Sequence, residues 1–289
     1  MKLTARGRVL DLSYPQVMGI LNVTPDSFSD GGTHNTLDTA LWHAAKMIEE
    51  GATIIDVGGE STRPGADDIS EQEELERVVP VIEALTQRFD AWVSVDTSKA
   101  VVMQESAKVG AHIINDIRAL QEPGALDAAA QTGLPVCLMH MQGQPRTMQA
   151  EPYYEDVVTE VKTFLMQQIE LCIAAGIAKN NLILDPGFGF GKNLSHNYQL
   201  LAHLQEFHHF GLPILAGMSR KSMIGQLLHL PPQERVTGSV ACAVIAAMQG
   251  ARIIRVHDVK ETAQAMKIVQ ATMQATLPAK NITPAKNMQ

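Results

Sequence analysis

Asp96, Asn115 and Asp185 each stand at the end of a short apolar run: "WVSVDT" (92–97), "HIINDI" (112–117) and "LILDPG" (182–187). A carboxylate or amide oxygen in that position can receive N–H donors from the edge of a planar, nitrogen-rich heterocycle of the aminopyrimidinone kind. The carboxylate contact is charge-assisted and the stronger of the two. Donors end three further runs: Asn22 in "QVMGILNV" (16–23), Lys221 beyond "PILAGMS" (213–219), and Arg255 with His257 in "RIIRVHD" (252–258). These suit an anion, and a helix starting just past "RVHDV" adds backbone N–H groups and a positive dipole end. The expected ligand is a heterocycle at one end and a phosphate group at the other. Asp56 with Glu60, Asp116, His140, Ser219 and Asp258 extend the same polar set. Such a ring is costly unless a ligand meets it, because an unpaired buried polar group costs about 1–3 kcal/mol.

The elements that must position these residues follow from the runs themselves. With "TIIDVGG" (53–59) and "PVCLMH" (135–140) they number eight, continuous rather than alternating, as in parallel strands covered on both faces. Amphipathic stretches such as "TLDTALWHAAKMIEEG" and "SEQEELERVVPVIEALTQRF" separate them, and glycines at 51, 110, 133, 176, 211 and 250 stand where helices should stop. The pattern predicts an α/β fold, a (β/α)8 TIM barrel in a single domain over 1–278. "RGRVLDLS" should form a short N-terminal hairpin on the barrel floor, and 279–289 a disordered tail. A doubly wound open sheet is the competing arrangement. In a barrel, all the polar strand ends would gather at the carboxyl-terminal face.

Three loops stand out. "NVTPDSFSDGG" (22–32) and "GESTRPGA" (59–66) are expected to close over the ligand, bringing Phe28, Arg63 and Pro64 to the mouth. "DPGFGFGK" (185–192) lacks the GxGxxG fingerprint, and its Lys192 is not set as in a P-loop. Its glycines are expected to present Phe188 and Phe190 as a flat surface for an aromatic ring. Lys and Arg total 23 against 31 Asp and Glu, a net charge of −8 that argues against nucleic acid. Cys137, Cys172 and Cys242 form no CxxC pair, so no zinc site or disulfide framework is expected. No signal-like or membrane-spanning run is apparent, and a cytoplasmic protein is expected. Several residues also have plainer readings. Asp56 and Glu60 would tie down the second strand–loop junction. Asp116 and Asp258 would be caps or partners as readily as functional groups. His140 would line the ligand pocket or simply pack. "SEQEELER" would be a solvated helix face. Met166 and Met248 would be core or interface, and "VACAVIAAMQGA", apolar on nearly every side, would lie at a dimer face.

Eight motifs, "MGILNVTPDSFSDGG", "DVGGESTRPGA", "SVDTSK", "INDI", "LMHMQGQP", "LDPGFGFGKN", "GMSRKSMIG" and "RVHDV", resemble those of the bacterial dihydropteroate synthases in order and spacing. The resemblance runs from about residue 16 to about 275 with no departure at the motif positions. It implies a folate-pathway transferase that joins 6-hydroxymethyl-7,8-dihydropterin diphosphate to 4-aminobenzoate, needs Mg²⁺, is a homodimer and is a sulfonamide target. It also implies that Asp96, Asn115, Asp185 and Lys221 hold the pterin. Asn22, Arg255 and His257 would hold its diphosphate, with Asn22 reaching Mg²⁺, and Thr62 and Val256 would also contact this substrate. Phe28, Arg63, Pro64, Phe190 and Ser222 would frame aminobenzoate. Asp96, Asp185, Lys221, Arg255 and Asp30 would carry the chemistry, Asp30 by assisting the metal or the loop contacts. Three alternatives remain at this stage: a methyltetrahydrofolate-binding methyl-transfer barrel, a catalytically silent pterin-binding homologue, and a sugar-phosphate barrel enzyme.

Overall fold

The computed structural model describes residues 1–24, 33–61, 68–144, 147–149 and 151–275, with 33–36 described by backbone alone. A hairpin comes first. β1 (Lys2–Ala5) and β2 (Arg8–Asp11) pair antiparallel across Arg6 and Gly7, both at positive φ, +53° and +74°. Two successive left-handed residues match the right-handed twist of the strands they join. Leu3, Leu10 and Leu12 are buried on the barrel floor. Arg6 Nε donates to Ala111 O at 2.9 Å and Arg8 Nη1 to Ala91 O at 2.9 Å, tying the hairpin to the chain just before two of the barrel strands.

The eight runs then become eight parallel strands: β3 (Gln16–Asn22), β4 (Ile54–Gly58), β5 (Trp92–Asp96), β6 (Ile113–Asp116), β7 (Val136–Met139), β8 (Leu182–Asp185), β9 (Leu215–Ala216) and β10 (Ile253–Val256). The sheet runs β8-β7-β6-β5-β4-β3-β10-β9, and a parallel bridge from Leu184 to Ile214 brings the two edges together. This is the barrel, not the open sheet. Every residue of β4, β6, β7 and β8 is buried, as strands need when side chains fill the lumen on one side and helices cover the other.

Between the strands lie α1 (Thr33–Glu49), α2 (Glu71–Arg88), α3 (Ala100–Lys108), α4 (Ala125–Thr132), α5 (Val157–Ala174), α6 (Leu194–Ala202), α7 (Ser222–Leu228) and α8 (Val236–Met248), and α9 (Val259–Ala275) follows the last strand. The connection from β9 to β10 therefore holds two helices where one was expected. Side chains fix several starts: Ser70 accepts from Glu73 N at 3.2 Å, and Asp156 from Val158 N and Thr159 N at 3.0 and 3.1 Å. The "SEQEELER" face is not wholly solvated. Glu74 is fully buried and paired with Lys99 at 2.6 Å, while Lys99 also reaches Glu60 at 2.7 Å. Met166 and Met248 are exposed, so neither is core.

Candidate active site

Parallel register brings the polar strand ends together. Asp96 and Asn115 are partners across β5 and β6, and Gly58, two residues past Asp56, is the partner of Asp96 across β4 and β5. Residues two apart on a strand share a face, so Asp56 stands one layer below that rim. From β10, Arg255 reaches across: Nε donates to Asp56 Oδ2 at 2.6 Å and Nη2 to Asp96 Oδ2 at 2.7 Å. Asn115 Nδ2 donates to the same Asp56 oxygen at 3.1 Å. Asp56 is fully buried, and among the described residues its other oxygen, Oδ1, has no hydrogen-bond partner. Burial pushes the Asp96 carboxyl up to about 7 against the pull of Arg255, with Asp56 adding to the rise. One arginine serving two carboxylates leaves the cluster short of positive charge and of N–H donors, and a ligand edge rich in N–H groups supplies both.

Asp56 was expected to tie down a strand–loop junction; instead it anchors this central pair. Its place in the polar ring was legible in the sequence, but its partners Arg255 and Asn115 were not. The signal was present: a single acid inside the otherwise apolar "TIIDVGG", two residues from a rim glycine. Glu60 does brace the junction, through Lys99.

Asp185 ends β8 and is buried, with Oδ1 accepting from Gly187 N at 2.7 Å. Burial raises its carboxyl, opposed by Lys221, and burial lowers the Lys221 ammonium to about 8, opposed by Asp185. Lys221 Nζ donates to the Phe188 carbonyl and stands 4.5 Å from the centre of the Phe190 ring. The expectation that both phenylalanines face a ligand holds in part. Phe190 is partly exposed beside Lys221, whereas Phe188 is fully buried in the hydrophobic core. His140 is a packed residue. Its ring meets Phe164 edge-on at 4.9 Å, burial lowers its pKa to about 2, and Lys192 Nζ lies 2.9 Å from its Nδ1.

The rest of the rim comes from the ends of β9, β10 and β3. Ser219 Oγ accepts from His257 N at 3.1 Å and lies 3.1 Å from His257 Nδ1. Arg220, between Ser219 and Lys221, holds φ +59° and pairs with Asp258 through Nε at 3.0 Å, so Asp258 is an internal partner. Asp116 is internal too, accepting from Ser98 Oγ, Arg118 N and Leu120 N. Ser222 opens α7, and the Val256 side chain is buried. Phe28, Asp30, Thr62, Arg63 and Pro64 lie outside the described residues.

For a divalent metal, hard oxygen donors are the relevant test. A Cβ placed on Gly58 would sit 3.7 Å from Asn22 Oδ1 and 3.6 Å from Asp96 Oδ2, so the missing side chain leaves two oxygens flanking one small space. Among the described residues no group of three His, Cys, Asp or Glu is arranged to hold a metal. The donors fit an Mg²⁺ held mostly by ligand phosphate and water, the usual manner for that ion. Among the described residues no helix is long and apolar enough to cross a membrane.

Residues 18–257 match the family model described as pterin binding enzyme. The chain is 72% identical over 275 residues to the dihydropteroate synthase of Escherichia coli (strain K12), covering 95% of this chain and 98% of that relative. It is 63% identical over 275 residues to the Haemophilus influenzae dihydropteroate synthase, covering 95% and 100%. Two solved structures are similar throughout. The Yersinia pestis dihydropteroate synthase in a sulfonamide drug complex gives a TM-score of 0.91 at 75% identity, over 95% of this chain and 100% of that one. The Xanthomonas albilineans dihydropteroate synthase with 4-aminobenzoic acid gives 0.90 at 50% identity, over 96% and 99%.

Proposed function

The chain belongs to the pterin-binding enzyme family and, within it, to the dihydropteroate synthases, and from this we infer that it condenses 6-hydroxymethyl-7,8-dihydropterin diphosphate with 4-aminobenzoate. The products are 7,8-dihydropteroate and diphosphate. The observation that best supports the reading is the meeting of Asp96, Asn115 and Arg255 at one barrel rim over Asp56, one layer below.

The carbon–oxygen bond to diphosphate breaks and a carbon–nitrogen bond to the aromatic amine forms, with loss of an amine proton. Aniline nitrogen is a weak nucleophile, so departure of diphosphate runs ahead of attack, and the pterin ring shares the positive charge left on its methylene. Asp96 and Asp185 favour that cation, while Lys221, His257 and the uncommitted N–H groups of Arg255 favour the departing anion. Arg255 has five N–H donors, of which two are committed to Asp56 and Asp96. Asn22 would hold Mg²⁺ together with the substrate's own phosphates, and the ion would supply charge neutralisation at the diphosphate. The loops through Asp30 and through Thr62, Arg63 and Pro64 close over the site, excluding water and setting Phe28 and Pro64 against aminobenzoate. Phe190 and Ser222 complete that pocket, which is where a sulfonamide would compete. The same reading makes the chain a cytoplasmic homodimer joined through its late helices, where Leu227, Leu228, Ile245 and Met248 are exposed.

The test is release of diphosphate from the pterin substrate, with and without aminobenzoate and Mg²⁺; release that ignores aminobenzoate sinks the assignment. Asp185→Asn should lower kcat/KM for the pterin substrate by about 10²-fold, the scale of one lost charge-assisted contact. Aminobenzoate binding to a preformed diphosphate complex should be largely spared, and equal losses in both would remove Asp185 from the pterin wall. The pH profile follows from the two perturbed groups. Asp96 must lose its proton to accept pterin N–H groups, so kcat/KM rises through about pH 7. Lys221 must keep its proton, so kcat/KM falls above about pH 8. A narrow bell is expected, and Asp96→Asn should abolish its rising side.

A further inference from the structure

The glycine-rich loop after β8 is held from inside by a lysine with no assigned role. Lys192 is buried, 2% exposed, and its Nζ has three close acceptors: His140 Nδ1 at 2.9 Å, Gly187 O at 2.9 Å and Phe190 O at 3.0 Å. His140 O lies further off, at 3.4 Å. Burial lowers the Lys192 pKa well below its usual value, and the contacts hold in either protonation state. An ammonium gives one N–H to each close acceptor, whereas a neutral amine gives its two to the carbonyls and accepts from His140 Nδ1. The other carbonyls from Phe188 to Lys192 are taken as well. Phe188 O accepts from Lys221, Gly189 O from Gln149 Nε2, Gly191 O from Tyr154 OH, and Lys192 O from Asn197 Nδ2.

We propose that Lys192 is a positioning residue for the aromatic-amine half of the site, acting through Phe190. The two carbonyls it binds bracket Phe188, whose own carbonyl receives Lys221. The second of them belongs to Phe190, whose ring lies 4.5 Å from the Lys221 ammonium. Pinning Gly187 and Phe190 to one point therefore fixes where the loop's outer edge offers its ring. The pterin wall is less dependent on this pin, because Asp96 and Asn115 stand on strands. The assignment rests on the transferase reading above.

The test uses the full chain. Lys192→Met keeps the bulk and removes the donors. It should raise KM for aminobenzoate and lower kcat, each by about tenfold, the scale of one lost hydrogen bond. The dissociation constant for pterin diphosphate should stay within about threefold, a change well under 1 kcal/mol. In Lys192→Ala, added ethylammonium should restore part of kcat, which a merely structural role would not allow. Equal weakening of both substrates without rescue would overturn the proposal. Where either variant fails to fold, ¹⁵N NMR of His140 in the unaltered protein decides. A through-hydrogen-bond coupling between His140 Nδ1 and Lys192 Nζ supports the contact, and an uncoupled Nδ1 with the shift of a solvent-exposed imidazole rules it out. An unaltered enzyme that releases no diphosphate in response to aminobenzoate would refute the transferase reading instead.

Discussion

Replacing Arg255 by methionine should cost about 3–5 kcal/mol of folding stability, as well as nearly all activity, because it strands two carboxylates that share one cation. Asp56 is fully buried and Asp96 has 11% of its side chain exposed, so water cannot take over what the guanidinium provides. The deficit should depend on pH in a defined direction. Burial already holds the Asp96 carboxyl above its ordinary value, and Arg255 is what pulls it back. A folded acid with a raised pKa binds its proton more tightly than the unfolded chain does, so stability falls as pH rises towards that value. Without Arg255 the value climbs further and the loss extends past pH 7. Urea unfolding should therefore find Arg255→Met least impaired near pH 6 and most impaired near pH 8. Adding Asp56→Asn should recover part of the loss at pH 8, since one of the stranded charges is then gone. A deficit independent of pH, or no recovery in the double variant, would mean that packing rather than charge explains it.

That cluster also marks where reading from sequence ends. The strands were legible because parallel strands buried on both faces must be continuously apolar, and the eight runs carry that mark. The hairpin was legible in part: "RGRVLDLS" holds its turn and second strand, while the first strand, Lys2–Ala5, precedes that stretch. Asp96, Asn115 and Asp185 were legible because each interrupts its run at the end, where a barrel exposes side chains to a ligand. The anchoring role of Asp56 was not, because what gives it meaning is an arginine 199 residues away across the lumen. The loop of 185–192 shows the same limit. Two phenylalanines in matching glycine contexts have opposite fates, Phe188 in the core and Phe190 beside Lys221, and only the chain's path decides which. Glu74 looked solvated within a charged run of eight residues, yet Lys99 from the next strand–helix unit captures it. Local chemistry names the groups; pairing between distant strands decides which are spoken for.

Gly187→Ala puts that path to the test. Gly187 holds φ +74°, and a Cβ there would lie 1.8 Å from the carbonyl oxygen of His140 and 3.0 Å from its carbonyl carbon. Backbone strain alone costs about 1–3 kcal/mol for a left-handed non-glycine residue. The clash adds to it, because the obstacle is backbone at the end of β7 and not a side chain that can swing away. The loop must therefore move, and three contacts go with it: Gly187 N to Asp185 Oδ1, Lys192 Nζ to Gly187 O, and Phe190 N to Gly187 O. Asp185 loses its one backbone donor while Phe190 and Lys221 lose their mounting, so both substrates suffer. The expected result is a destabilisation of about 3 kcal/mol or more and a fall in kcat/KM of about 10³-fold for either substrate. Gly133→Ala is the matched control. Its φ is +67°, nearly the same, but nothing lies within 4 Å of the added methyl, at the far end of α4. It should lose about 1 kcal/mol to strain and keep its activity. If the two variants were equally stable and equally active, the close approach of Gly187 to His140 would not exist in solution, and the placing of Phe190 and Lys221 would need another cause.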